Sequence, residues 1–119
     1  MIKTVIIDDE PDAIKSLELI CNEYCSNVAI VGTAQLIEDA KRIIDKEKPD
    51  LLLLDIDLPR GNGFDLLQRY PKRKSHVILI SALFEKYEKL IKKHRIYGCV
   101  DKPVDIEELA TLIKGIPDN

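Results

Sequence analysis

The sequence is short of several things, and each shortage narrows what the chain can be. Its three cysteines, Cys21, Cys25 and Cys99, show no C-x-x-C spacing. That pattern gives neither a disulfide framework nor a zinc site, and it points to buried, reduced thiols. The longest strictly apolar runs, such as Leu51 to Leu54, fall far short of a membrane span. Met1-Ile2-Lys3-Thr4-Val5 reaches acidic residues too soon for a signal-peptide core, so the expected compartment is the cytoplasm. Positive charge is not in excess. A net charge of -3 offers nucleic acid or anionic lipid no general attraction, and direct DNA binding by this domain is disfavoured. Low-complexity tracts, linkers and internal repeats are lacking too, apart from a regular alternation of strand and helix.

What is present suits one soluble domain spanning residues 1–119, with 45% hydrophobic and 33% charged residues. Lys3 to Ile7 reads as a strand that breaks at Asp8-Asp9-Glu10-Pro11, where proline suits a first helical turn. The helix that follows puts Ile14, Leu17, Ile20, Cys21 and Cys25 on one face. Val28 to Val31 reads as a second strand closed by Gly32, and the next helix carries Leu36, Ala40, Ile43 and Ile44 and stops before Pro49. Leu51 to Leu54 is too short for a buried helix and reads as a central strand covered on both faces.

A loop with Pro59, Gly61 and Gly63 then leads to a short helix bearing Phe64, Leu66 and Leu67. His76 to Ile80 is the fourth expected strand. Leu83 to His94 is a charged helix with Leu83, Tyr87, Leu90 and Ile91 on its apolar side, and its basic end (Lys86, Lys89, Lys92, Lys93, Arg95) suits the helix dipole. Tyr97 to Val100 is the fifth strand and Ile106 to Ile113 the last helix. Repeated β-α units with short connections predict an α/β fold, a parallel sheet with helices on both faces.

Such sheets bind ligands beyond the carboxyl ends of their strands. Asp8 and Asp9 follow the first strand, Asp55 the third, Ser81 the fourth and Lys102 the fifth. Alone, Asp8-Asp9 is more often a solvated turn or helix cap, Asp55 a strand end, Ser81 a local backbone partner and Lys102-Pro103 an ordinary loop. Together they would share one edge of the sheet. Three carboxylates so placed repel unless cations balance them. Lys102 restores one positive charge, and Mg²⁺, which favours oxygen ligands, would restore the rest. A cluster neutralised in this way can accept a phosphoryl group on Asp55. The Ser81 hydroxyl could then report the phosphate, and the added charge could bias a two-state loop.

The stretches I-I-D-D-E-P (6–11), L-L-L-L-D-I-D-L-P-R-G-N-G (51–63), I-S-A (80–82) and D-K-P (101–103) resemble, in order and spacing, the receiver domain of bacterial two-component response regulators. The resemblance covers essentially the whole chain. It implies a doubly wound five-stranded sheet of order 2-1-3-4-5 with five helices, a fold for which a family member is a known example. It implies that Asp55 takes a phosphoryl group from the phosphohistidine of a sensor histidine kinase or phosphotransfer protein. Asp9, Asp55 and the backbone carbonyl of Asp57 would hold Mg²⁺, with Asp8 helping through water. Lys102 would pair with the phosphoryl group, Ser81 would be the switch hydroxyl, and Pro103 would follow a cis peptide bond.

Position 99 departs from the family pattern. An aromatic residue usually stands there and moves inward on switching, whereas Cys99 has no ring to swing. Tyr97, two residues earlier on a regular strand, would point to the same side. Asp57 and Leu83, two past the acceptor and the switch hydroxyl, are positions that tune phosphate lifetime in such domains, or else an exposed loop acid and a packing residue.

The partner implied beyond the kinase is an output domain or separate target. D-I-D-L-P and D-K-P-V-D-I-E-E-L resemble receivers that precede LytTR-type DNA-binding domains. A homodimer through the last two helices is a further possibility. Turnover catalysis is not expected, only stoichiometric self-phosphorylation and its reversal. Two other readings stay open: an aspartyl-phosphate phosphatase of haloacid-dehalogenase type, suggested by Asp55-Ile-Asp57, and a degenerate receiver that binds partners without phosphorylation. Against the phosphatase stand the motif order and the lack of room for a cap.

Overall fold

A computed structural model describes residues 1–117, so the last two residues of the expected domain lie outside the described residues. The alternation of strand and helix appears as β1 (Ile2–Ile7), α1 (Pro11–Tyr24), β2 (Val28–Ala34), α2 (Ile37–Glu47) and β3 (Leu51–Asp55). Two-residue strands β4 (Asp57–Leu58) and β5 (Gly61–Asn62) pair with each other and lead into α3 (Gly63–Leu67). Then come β6 (His76–Ser81), a 3-10 turn at Phe84–Tyr87, α4 (Glu88–Lys93), β7 (Gly98–Asp101) and α5 (Ile106–Lys114).

The main sheet is five-stranded in the order β2-β1-β3-β6-β7, and every neighbouring pair in it is parallel. With the small β4–β5 hairpin set aside, this is the expected 2-1-3-4-5 order. Side chains of a strand alternate between faces, and both faces here are covered. Leu51 and Leu53 join Ile2, Ile6, Ile78 and Ile80 in a layer under α1 and α5. Leu52 and Leu54 join Val5, Ile7, Val77 and Leu79 in a second layer under α2 and α3. The leucine run is thus apolar throughout because each of its residues is buried. Among the described residues no helix is long and apolar enough to cross a membrane.

Four local expectations are corrected. Gly32 does not end β2, which continues to Ala34 past a register shift opposite Thr4 and Val5. A Cβ there would lie 2.7 Å from Ile43 Cγ2, so glycine serves the packing of α2 on the sheet. The helix expected over 83–94 begins later. The Ser81 hydroxyl oxygen accepts the Leu83 N–H at 3.1 Å, and Leu83 has φ -136 and ψ 59, outside the helical region. Leu83 is 61% exposed rather than part of an apolar face. Tyr97 lies before β7 and does not share the side of Cys99. Its hydroxyl donates to Leu112 O of α5 at 2.6 Å, while Cys99 packs into the layer under α2 and α3.

Candidate functional site

Parallel register brings the strand ends level with one another. Ile7 pairs with Leu54, Asp55 with Ile80, and Ser81 with Asp101. The next residues outward are therefore Asp8 after β1 and Lys102 after β7, beside Asp55 itself. The close approach of α3 depends on Gly63, where a Cβ would come within 3.1 Å of Asp55 O. Asn62 caps that helix and forms a reciprocal box with Asp65.

Asp55 is 4% exposed and Asp8 1%, and both lie 3.3 Å from Lys102 Nζ through their Oδ2 atoms. The remaining oxygens are held by the backbone: Asp8 Oδ1 accepts the Glu10 N–H at 2.9 Å, and Asp55 Oδ1 the Asp57 N–H at 3.2 Å. One oxygen from each of Asp8, Asp9 and Asp55 falls within a 4.8 Å cluster. Burial, with the Asp8 charge second, raises Asp55 to a pKa of about 6 against the opposing pull of Lys102. Burial alone would lower Lys102, but the two carboxylates outweigh it and hold its pKa above the ordinary value. The pocket therefore carries more negative charge than its lysine neutralises. Its donors are all oxygens, a set that fits Mg²⁺.

Ser81 is buried at the end of β6, on the same sheet edge, and its hydroxyl oxygen accepts from Leu83. The Lys102–Pro103 peptide is cis, and Lys102 N donates to Ser81 O at 3.1 Å. Cys99, by contrast, is set back from this group, half-buried on β7 against the layer under α2 and α3. Cys21 and Cys25 pack together under α1, and burial pushes the Cys21 thiol up to about 12, as an inert core thiol requires.

Sequence reasoning missed the partner of Asp57. The Tyr87 hydroxyl donates to Asp57 Oδ1 at 2.5 Å, and the tyrosine is 8% exposed. That bond, ahead of burial, pushes the phenol up to about 12. The two residues are thirty positions apart, so spacing gave Tyr87 only a place on an apolar helical face.

A family model described as the response regulator receiver domain matches residues 4–114. "Transcriptional regulatory protein BtsR" of Escherichia coli (strain K12) is 31% identical over 106 residues, 88% of this chain and 44% of the relative. "Sensory transduction protein LytT" of Bacillus anthracis is 30% identical over 115 residues, 96% of this chain and 46% of the relative. The chain thus spans under half the length of the curated relatives it matches. In fold it is similar to the response regulatory domain of protein mrkE from Klebsiella pneumoniae, with a TM-score of 0.84 at 22% identity, covering 94% of this chain and 92% of that one. On the family match and the site geometry together, the chain belongs to the receiver domains of two-component response regulators.

Proposed function

We propose that Asp55 accepts a phosphoryl group from the phosphohistidine of a histidine kinase or phosphotransfer protein, and that an output domain or target protein reads the change. The observation that carries this reading is a buried Asp55 carboxylate 3.3 Å from Lys102 Nζ and clustered with Asp8 and Asp9. A bond forms between an Asp55 carboxylate oxygen and phosphorus as the bond from phosphorus to the imidazole nitrogen breaks. The nitrogen keeps the electron pair. Lys102, already beside Asp55, takes up charge on the phosphoryl oxygens. Asp8, Asp9, Asp55 and the Asp57 backbone carbonyl would hold Mg²⁺, whose charge would offset that of the incoming group. Ser81 then turns to donate to a phosphoryl oxygen, while Asp57 and Leu83 border the route by which water reaches the acyl phosphate.

The reaction is stoichiometric and reversed by hydrolysis, without turnover of an external substrate. The domain works in the cytoplasm, as residues 1–119 of a receiver unit, and makes no direct contact with nucleic acid or membrane. Its readout is an output domain, a separate target, or a homodimer through α4 and α5.

Incubation with acetyl phosphate and Mg²⁺, followed by intact-mass measurement and sizing, tests the reading. The expected result is a single phosphoryl mass gain that Asp55→Asn abolishes. A gain that survives Asp55→Asn overturns the assignment. Sustained phosphate release would favour the phosphatase instead. Partner binding that Asp55→Asn leaves unchanged with and without treatment would favour the degenerate receiver.

A further inference from the structure

The chain between Ser81 and α4 is fixed at two points, and both adjoin Asp55. At the near end, Ser81 Oγ accepts the Leu83 N–H at 3.1 Å. At the far end, the Tyr87 hydroxyl donates to Asp57 Oδ1 at 2.5 Å, while the Asp57 N–H donates to Asp55 Oδ1 at 3.2 Å. The 3-10 turn Phe84–Tyr87 therefore hangs between the candidate switch hydroxyl and a residue that touches the acceptor. The Tyr87 ring lies 5.7 Å from Phe64, and Phe64 stacks at 5.4 Å on His94, the residue that ends α4. Among the described residues α4 itself buries none of its side chains. The contacts of Tyr87 and His94 with Phe64 thus bracket a helix whose own apolar residues, Leu90 and Ile91, are only partly buried against the same layer.

We propose that Tyr87 is a positioning residue whose hydroxyl holds Asp57 beside Asp55 and makes the placement of α4 depend on the phosphorylation state of Asp55. The inference rests on the reading of Asp55 as the acceptor. A Ser81 side chain that turns toward a phosphoryl group leaves the Leu83 N–H and frees the near end of the turn. The charge added at Asp55 changes the field at Asp57, two residues on, and so acts on the far end. A serine hydroxyl and a phenol on one short segment then do what Cys99, without a ring, cannot do from β7.

The test uses the full chain with acetyl phosphate and Mg²⁺, reading the labelled fraction by intact mass and backbone amide shifts per labelled molecule. Tyr87→Phe removes only the hydroxyl and keeps the ring against Phe64. In the wild type, phosphorylation shifts amides across residues 84–94. In Tyr87→Phe those shifts fall to about half or less, in line with the loss of a charge-assisted hydrogen bond. Asp57→Ala removes the other half of the same bond and gives the same attenuation, with no further loss in the double variant. Full shifts per labelled molecule in either single variant overturn the role of Tyr87 alone. Absence of label in the wild type overturns the acceptor reading, and this inference with it.

Discussion

Helices α4 and α5 flank the same edge strand, β7, and are held in opposite ways. In α5, Leu109 and Ile113 are fully buried in the layer shared with α1, and the Asp105 side chain caps the helix by accepting the Glu108 N–H at 3.0 Å. Tyr97 ties down its last turn through Leu112 O. Helix α4 has no buried residue and no side-chain cap, and it begins only after a 3-10 turn. The contrast has a mechanical meaning. Lys102 sits between β7 and α5, 3.3 Å from Asp55, so the firmly packed α5 side anchors the segment that carries it. On the proposed reading the segment that follows Ser81 is the one that responds, and α4 beyond it rests on the partly buried Leu90 and Ile91 alone among its own residues.

The largest expected effect tests that contrast directly. Leu109→Ala should cost about 3 kcal/mol, as truncation of a fully buried leucine does, while Leu90→Ala on α4 should cost about 1 kcal/mol or less. Urea unfolding of both variants measures this, and equal losses would break the comparison. Next comes Asp55→Asn. The folded state holds the Asp55 pKa above its ordinary 3.8, at about 6, so the folded protein binds more protons than the unfolded chain between these values. Asp55 therefore favours folding below about pH 4, and that contribution is lost as pH rises through about 6. Asparagine should flatten this part of the stability profile and raise stability at pH 7 by about 1 to 2 kcal/mol, below the linkage bound of about 3 because the amide keeps part of the burial cost. A variant with the same pH 4–6 slope as the wild type would show that another group produces it. Smaller again is Asp105→Ala, which removes the α5 cap and should cost about 1 kcal/mol by thermal unfolding.

Much of this was legible in the sequence, and the exceptions have a common cause. The leucine run 51–54 could be read as a doubly covered strand because composition and length alone exclude the alternatives. Asp8, Asp55, Ser81 and Lys102 could be placed on one edge because a parallel sheet puts its strand exits there. What could not be read depended on side chains choosing partners. Ser81 captures the Leu83 N–H and delays α4, which periodicity over 83–94 could not foresee. Gly32 resembles a terminator in sequence, yet it is a packing position set by Ile43. Tyr97 keeps strand spacing with Cys99, but β7 starts after it and its hydroxyl goes to α5. The bond between Asp57 and Tyr87 joins the β4 strand to the 3-10 turn, which only the folded sheet brings together.

The smallest effect expected is also the one that separates the two sides of β7 most finely. Cys99 pairs in register with Leu79 and is half-buried against the layer under α2 and α3. Burial raises its thiol pKa, with Asp101 adding to the effect, so it carries no charge that phosphorylation could act on near neutral pH. Cys99→Ala removes one sulfur from a partly exposed site and should cost about 0.5 to 1 kcal/mol. If the response travels through the turn at Phe84–Tyr87, this variant should keep the full amide shifts across residues 84–94 on phosphorylation, where in Tyr87→Phe they fall to about half or less. A loss in Cys99→Ala as large as that in Tyr87→Phe would place the moving contact on β7 and erase the distinction between a firmly packed α5 side and a responsive α4 side.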